Sequence, residues 1–239
     1  MNRIAVAALL AAASLSAQIA GVTPSEAQRS AGGGDRDRQH IAGKFDYYQL
    51  VLSWSPTHCA DNSRGANDTQ CGPRRARPYG FVMHGLWPQY ERGWPQFCRT
   101  RGKPYVPTSI IKSMMDIMPS RGLIIHQYKK HGTCSGLDPA TYFKASRIAF
   151  RNVKIPKMFN APKQPLLITP GELVKQFRSV NTTLLNESIQ IVCKRGNANR
   201  LKEIKFCITR KGAFRSCTRG RAPRHRCINK KIYVPPVRG

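Results

Sequence analysis

The sequence predicts a single α+β domain, a central antiparallel sheet packed with helices and held by disulfides. Three observations predict it. Strand-like segments recur at 45–56, 79–83, 188–193 and 201–209. Apolar residues at helical spacing mark 109–118, 123–131, 139–152 and 169–178. Eight cysteines, an even number, follow an N-terminal stretch built like a secretory signal. The 239 residues suffice for one domain with a real core.

Asn2-Arg3 is a short positive start, Ile4–Ala13 is apolar and alanine-rich, and Ser25-Glu26-Ala27 offers small residues at a cleavage site. Residues 1–27 are therefore read as a signal peptide. The apolar run is too short to span a bilayer, and no later stretch is long enough, so membrane insertion is not expected. Residues 28–44, with Gly32-Gly33-Gly34, mixed charge and few apolar groups, read as a disordered leader in which His40 is solvated. The domain proper is expected over 45–239.

Phe45–Pro56 alternates with large groups on both sides, as a strand in the middle of a sheet does. His58 is placed in a surface turn after Pro56. Residues 57–78, rich in Asn, Gly, Arg and Pro, form a loop. The strand Tyr79–Met83 delivers His84, which meets Gly85 and is expected at the strand's end, facing a cleft. A second long loop, 89–107, holds Trp94, Pro95, Cys98 and Tyr105. Ile110, Ile111, Met114, Met115 and Met118 share a helical face, as core packing and not as a metal box, and Pro119 stops that helix.

In the next helix, taken as 123–131, His126 and Lys130 stand one turn apart, and Gln127 and His131 form a second such pair beside them. Gly132 is expected to end it and Cys134 to tie that end down. Pro139–Asn152 is amphipathic. Thr169-Pro170-Gly171-Glu172 is a capping box opening a helix to about Arg178. The strands at 188–193 and 201–209 flank Gly196-Asn197, a turn signal.

The net charge is +28, and removing residues 1–27 leaves it unchanged because one cation, Arg3, and one anion, Glu26, go together. So large an excess implies polyanionic partners. No basic amphipathic helix with a large apolar face stands out, which disfavours a membrane surface. From Cys193 onward fifteen Lys or Arg face one acid, Glu203, a basic region suited to steering nucleic acid. No Cys-x-x-Cys spacing argues for zinc, and no cofactor or metal is expected.

His126, Gln127, Lys130 and His131 suit an anionic centre that exchanges protons. Lys130 supplies charge, the histidines titrate near neutral pH, and Gln127 donates a hydrogen bond. Phosphoryl transfer to an internal hydroxyl needs one base and one acid, and His84 offers the second site. At this point the chain resembles the ribonuclease T2 family. The His-Gly-Leu-Trp-Pro signature of that family stands complete at 84–88. Its His-Glu-x-x-Lys-His-Gly-Thr-Cys signature stands at 126–134 with one departure, Gln127 in the glutamate position. With Phe45–Pro56 and the cysteines, the resemblance covers roughly residues 45–234.

The resemblance implies a ribonuclease T2-like domain that cleaves RNA through a 2′,3′-cyclic phosphate to 3′-phosphate ends. It makes His131 the general base and His84 the general acid, roles the residues alone leave interchangeable. His126 would hold the phosphate and Lys130 would offset developing charge. Trp87 would be a stacking wall for a base, Gln89 would lie where base preference varies, and the 89–107 loop with Trp94 would shape a base pocket. Among about a hundred pairings of eight cysteines, the family pattern favours Cys98–Cys134 and the nested Cys193–Cys227 and Cys207–Cys217, leaving Cys59–Cys71. Disulfides after a signal peptide place the protein outside the cytoplasm, secreted or periplasmic. A monomer acting on RNA, with DNA bound but not cut, completes the expectation. The competing reading is a secreted cationic RNA- or polyanion-binding protein of the same fold with little turnover, and Gln127 is what favours it.

Overall fold

The aromatic strand of the sequence becomes β1 (Tyr47–Trp54). It pairs antiparallel with β2 (Phe81–Gln89) on one side and β5 (Leu201–Ile208) on the other. β4 (Ile189–Cys193) adds to β5, and the sheet order is β2-β1-β5-β4. The interior place of β1 follows from its two bulky faces. Tyr48, Leu50, Leu52 and Trp54 enter the main core, while Tyr47 joins Cys207 and Cys217 on the opposite face. In this computed structural model the described residues are 40–61, 69–73, 75, 77–194, 199–217, 225–227 and 231–238, all within one compact unit, 37–239. The signal segment, the leader before residue 40, Gly196-Asn197, and Arg219, Arg221 and Arg224 of the basic region lie outside them.

α1 (Ser55–Asp61) holds His58, so that histidine sits in a helix and not in the expected turn. α2 (Thr108–Met114) ends earlier than its apolar face suggested. Met114 and Met118 are nonetheless buried, as core packing requires. α3 (Arg121–Gln127) starts at Ser120, whose side chain accepts the Leu123 N–H. It then widens into a π turn (Tyr128–Gly132) and closes with one α turn (Thr133–Ser135). Gly136, at φ +75°, ends this run, not Gly132. Gly132 has another reason: a β-carbon there would collide with the Tyr128 ring.

α4 (Pro139–Asn152) begins at Asp138, and α5 (Pro170–Val180) carries the expected reciprocal capping between Thr169 and Glu172. One pairing was not foreseen. β3 (Leu166–Ile168) and β6 (Ile232–Val234) form a small antiparallel sheet, each too short to show a period.

Four disulfides join Cys59–Cys71, Cys98–Cys134, Cys193–Cys227 and Cys207–Cys217. The end of the presumed leader is docked, contrary to expectation. His40 Nδ1 accepts the Gln96 N–H at 3.1 Å, and the Gly43 N–H donates to the Cys134 carbonyl at 2.9 Å.

Candidate active site

His84 occupies a β-bulge. Val51 pairs with Gly85 and Leu52 with Met83, so His84 is the extra residue of β2. A bulge re-aims the side chain it carries. His84 is therefore in mid-strand, not at a strand end, and β2 runs on to Gln89. β2 is an edge strand, so it tolerates Pro88, which has no N–H to give a ladder. The redirected imidazole reaches across β1, and its Nδ1 lies 2.8 Å from Glu203 Oε1 on β5. A carboxylate only accepts, so the proton sits on Nδ1 and leaves Nε2 free. Glu203 Oε2 also lies 3.8 Å from Lys205 Nζ, which stands 4.8 Å from the centre of the Trp87 ring.

Trp87 joins the two halves of the site. Its Nε1–H donates to Gln127 Oε1 at 2.7 Å, and its ring stacks on His131 at 4.9 Å and 17°. His84 meets it edge-on at 5.2 Å. Gly85 is required here for close approach, since a β-carbon would strike Gln127 Oε1 and Trp87 Nε1. The Gln127 carbonyl is thus engaged with Trp87, and its N–H2 remains as the donor.

The helical side is held from outside by the 90–107 segment. The Phe97 N–H donates to the Lys130 carbonyl at 2.8 Å, and the disulfide at Cys98 bonds Cys134 beside it. Phe97, 56% exposed, places its ring 6.2 Å from His126 and 5.9 Å from Lys130 Nζ. His126 is itself exposed, with Lys130 next to it on the surface.

The electrostatics split the site. His131 is buried, its Nδ1 has no hydrogen-bond partner among the described residues, and its pKa is pushed down to about 3. Burial is the main cause, followed by the charges of Lys130, His84, His126 and Lys205. Burial also lowers His126, with Lys130 and His84 adding to it. Burial raises the Glu203 carboxyl, but the hydrogen bond and charge of His84, with Lys205 and Lys202, outweigh it and hold the group below its usual range. Lys205 is lowered by burial against the pull of Glu203. One imidazole is thus kept neutral and the other faces a carboxylate, a pairing suited to removing one proton and delivering another.

The structure brings together His84, Trp87, Gln127 and His131, with His126 and Lys130 at the opening. Gln89 and Trp94 make no hydrogen bond or ring contact with these six among the described residues. Gln89 is buried and its amide donates to the Pro88 carbonyl, while Trp94 is exposed. Sequence reasoning missed Glu203, Lys205 and Phe97. Glu203 had one visible signal, a lone acid in a long basic stretch.

A model of the Ribonuclease T2 family matches residues 45–217. A ribonuclease of Aeromonas hydrophila is 50% identical over 97 residues, covering 40% of this chain and 40% of that protein. A probable ribonuclease of Haemophilus influenzae is 31% identical over 134 residues, covering 51% of this chain and 48% of that protein. The chain spans about half the length, or less, of these curated relatives. The crystal structure of RNase NT in complex with 5′-AMP is 26% identical, with a TM-score of 0.60 over 81% of this chain and 99% of that one. Trichomaglin, an S-like ribonuclease, shares the fold at a TM-score of 0.65 and 20% identity, over 82% of this chain and 100% of its own.

Proposed function

Since the chain belongs to the ribonuclease T2 family, we propose that it is a metal-independent endoribonuclease acting on single-stranded RNA. RNA brings its own nucleophile, the 2′-hydroxyl. His131, held neutral, takes that proton as the oxygen attacks phosphorus. His84 delivers a proton from Nε2 to the departing 5′-oxygen. The products are a 2′,3′-cyclic phosphate and a free 5′-hydroxyl, and water then opens the ring to a 3′-phosphate. Lys130 and His126 offset the charge of the phosphorane, and the Gln127 N–H2 donates to a phosphate oxygen. DNA lacks the 2′-hydroxyl and is bound but not cut.

The observation that carries this reading is the opposite setting of two imidazoles around one tryptophan. It also favours one order of roles over the other. A neutral imidazole accepts a proton, and an imidazole bonded to a carboxylate through Nδ1 presents Nε2 to the departing oxygen. The 5′-AMP in the RNase NT structure supports a nucleotide ligand in this fold. Base contacts fall to the exposed Phe97 and Trp94 of one segment, with the half-buried Trp87 between the histidines. Gln89 is proposed to influence base preference from beneath, as a buried neighbour on the Trp87 strand. The four disulfides support a secreted or periplasmic location. Among the described residues no helix is long and apolar enough to cross a membrane.

Total RNA incubated with the purified protein and EDTA tests the proposal. Shortened RNA with cyclic or 3′-phosphate ends is expected. Retarded but intact RNA would instead favour the polyanion-binding reading, which draws its support from Gln127, an uncharged amide in the glutamate position.

A further inference from the structure

We infer that Glu203 is a positioning residue for His84, and that its carboxylate stands in, from strand β5, for the one missing at position 127. The inference rests on the ribonuclease reading for its kinetic consequences but not for its geometry.

Three facts converge on Glu203. Its carboxylate is buried, with the side chain 9% exposed, and reaches His84 Nδ1 at 2.8 Å. The bulge at His84 gives the ring the reach to cross β1, whose residues opposite Lys205 and Glu203 are the small Val51 and Ser53. Among the described residues, the other charged or titratable groups acting on these side chains are basic: Lys202 and Lys205 from β5, Arg226, and His126, Lys130 and His131 from the α3 run. A buried carboxylate is retained only where it is paired and hydrogen-bonded. Here the pairing fixes one tautomer of the ring. With the proton held on Nδ1, Nε2 is the nitrogen left to meet a phosphodiester.

A carboxylate at 127 would stabilise imidazolium from the helix, through Trp87 and His131. Gln127 removes that charge, and among the described residues the carboxylate that meets a site histidine is Glu203, on the opposite wall. Glu203 therefore orients the ring that must act as acid. It leaves His131, beyond Trp87, without an anion. The placement divides the two roles more sharply than a central carboxylate would.

Glu203→Gln keeps the shape and removes the charge. Three readouts test the inference. Nitrogen-15 NMR of histidine in the wild-type protein is expected to show neutral His84 as the Nδ1-protonated tautomer, with that preference lost in Glu203→Leu, which offers no acceptor. For cleavage of a dinucleotide, kcat is expected to fall about tenfold or more with KM little changed. The high-pH limb of kcat/KM should move down by about one unit, the order for losing an adjacent opposite charge. Adding Gln127→Glu to Glu203→Gln should restore part of the lost rate.

Neutral His84 found as the Nε2-protonated tautomer in the wild-type protein would overturn the positioning role, whatever the activity, and this is readable even if a variant does not fold. A double variant no faster than Glu203→Gln would overturn the substitution of one carboxylate for the other. Absence of RNA cleavage by the wild-type protein would defeat the ribonuclease reading alone, because the NMR result stands independently of it.

Discussion

His84 and His131 are the same side chain in two surroundings, and the site depends on their difference. His84 sits on a bulged edge strand, partly exposed, with a carboxylate at 2.8 Å. His131 sits in a π turn, buried under Trp87, with only cations acting on it. Burial and like charge keep a proton off one ring, and the other is oriented through Nδ1 by a carboxylate. Sheet and helix therefore contribute opposite halves of an acid–base pair, and Trp87 spaces them.

The comparison is broken most severely by deleting either ring. His84→Ala and His131→Ala should each lower kcat by ~10²–10⁴-fold with RNA affinity nearly unchanged, the usual contribution of one acid or base. Single-turnover cleavage with a separate binding titration checks this, and a variant retaining near wild-type rate would remove that ring from the pair.

The bridge between the rings comes next. Gln127→Ala should cost roughly 1–3 kcal/mol of transition-state stabilisation, the order for a lost donor to a charged group. Gln127→Glu keeps the bond from Trp87 and adds an anion beside His131. Its kcat/KM profile should therefore shift toward higher pH, and an unmoved profile would show that position 127 does not couple to the histidines. Gly85→Ala forces a methyl into Gln127 and Trp87 and should destabilise the fold by about 1–3 kcal/mol, as overpacking does. Urea unfolding measures it, and an unchanged midpoint would mean the bridge yields freely.

The two surroundings also differ in stability. His131 has a folded pKa of about 3 against an ordinary 6.5. The stability it contributes is complete above pH 6.5 and is lost as pH falls toward 3, with a limiting slope of ~1.4 kcal/mol per pH unit. The carboxyl of Glu203 has the same sign but a lower window, starting near its ordinary 4.5. Between pH 6.5 and 4.5 the loss belongs mainly to His131, with smaller parts from His126 and His225, both also lowered. Melting temperatures at pH 7 and pH 5 should converge in His131→Asn, and an equal drop in both proteins would refute the assignment. The smallest effect expected is at Phe97. Phe97→Ala should raise KM by about fivefold, toward the low end of a stacked base's contribution, with kcat unchanged.

Much of the architecture was legible because it depends on neighbours in the chain. The alternation of β1, the capping box of α5 and the amphipathic face of α4 involve residues two to four apart, where backbone periodicity alone dictates the outcome. The motif residues at 84–88 and 126–134 were readable for the same reason, as dense clusters of polar groups in short apolar frames. The disulfide pairs came from the family pattern and not from the spacing of the cysteines.

What depended on distant contact was not legible. Local preference could not reveal the π turn, which is favoured by Tyr128 packing on Gly132 and by Phe97 bonding to Lys130. The bulge at His84 is a property of two paired strands, not of either one. Glu203 lies 119 residues from His84 and looked like a lone acid among cations. Residue order fixes which groups are available and which short elements carry them. Which histidine meets a carboxylate is settled by folding. Pairing across the sheet sets that distance, and electrostatic energy depends on distance and burial, which the order of residues does not state.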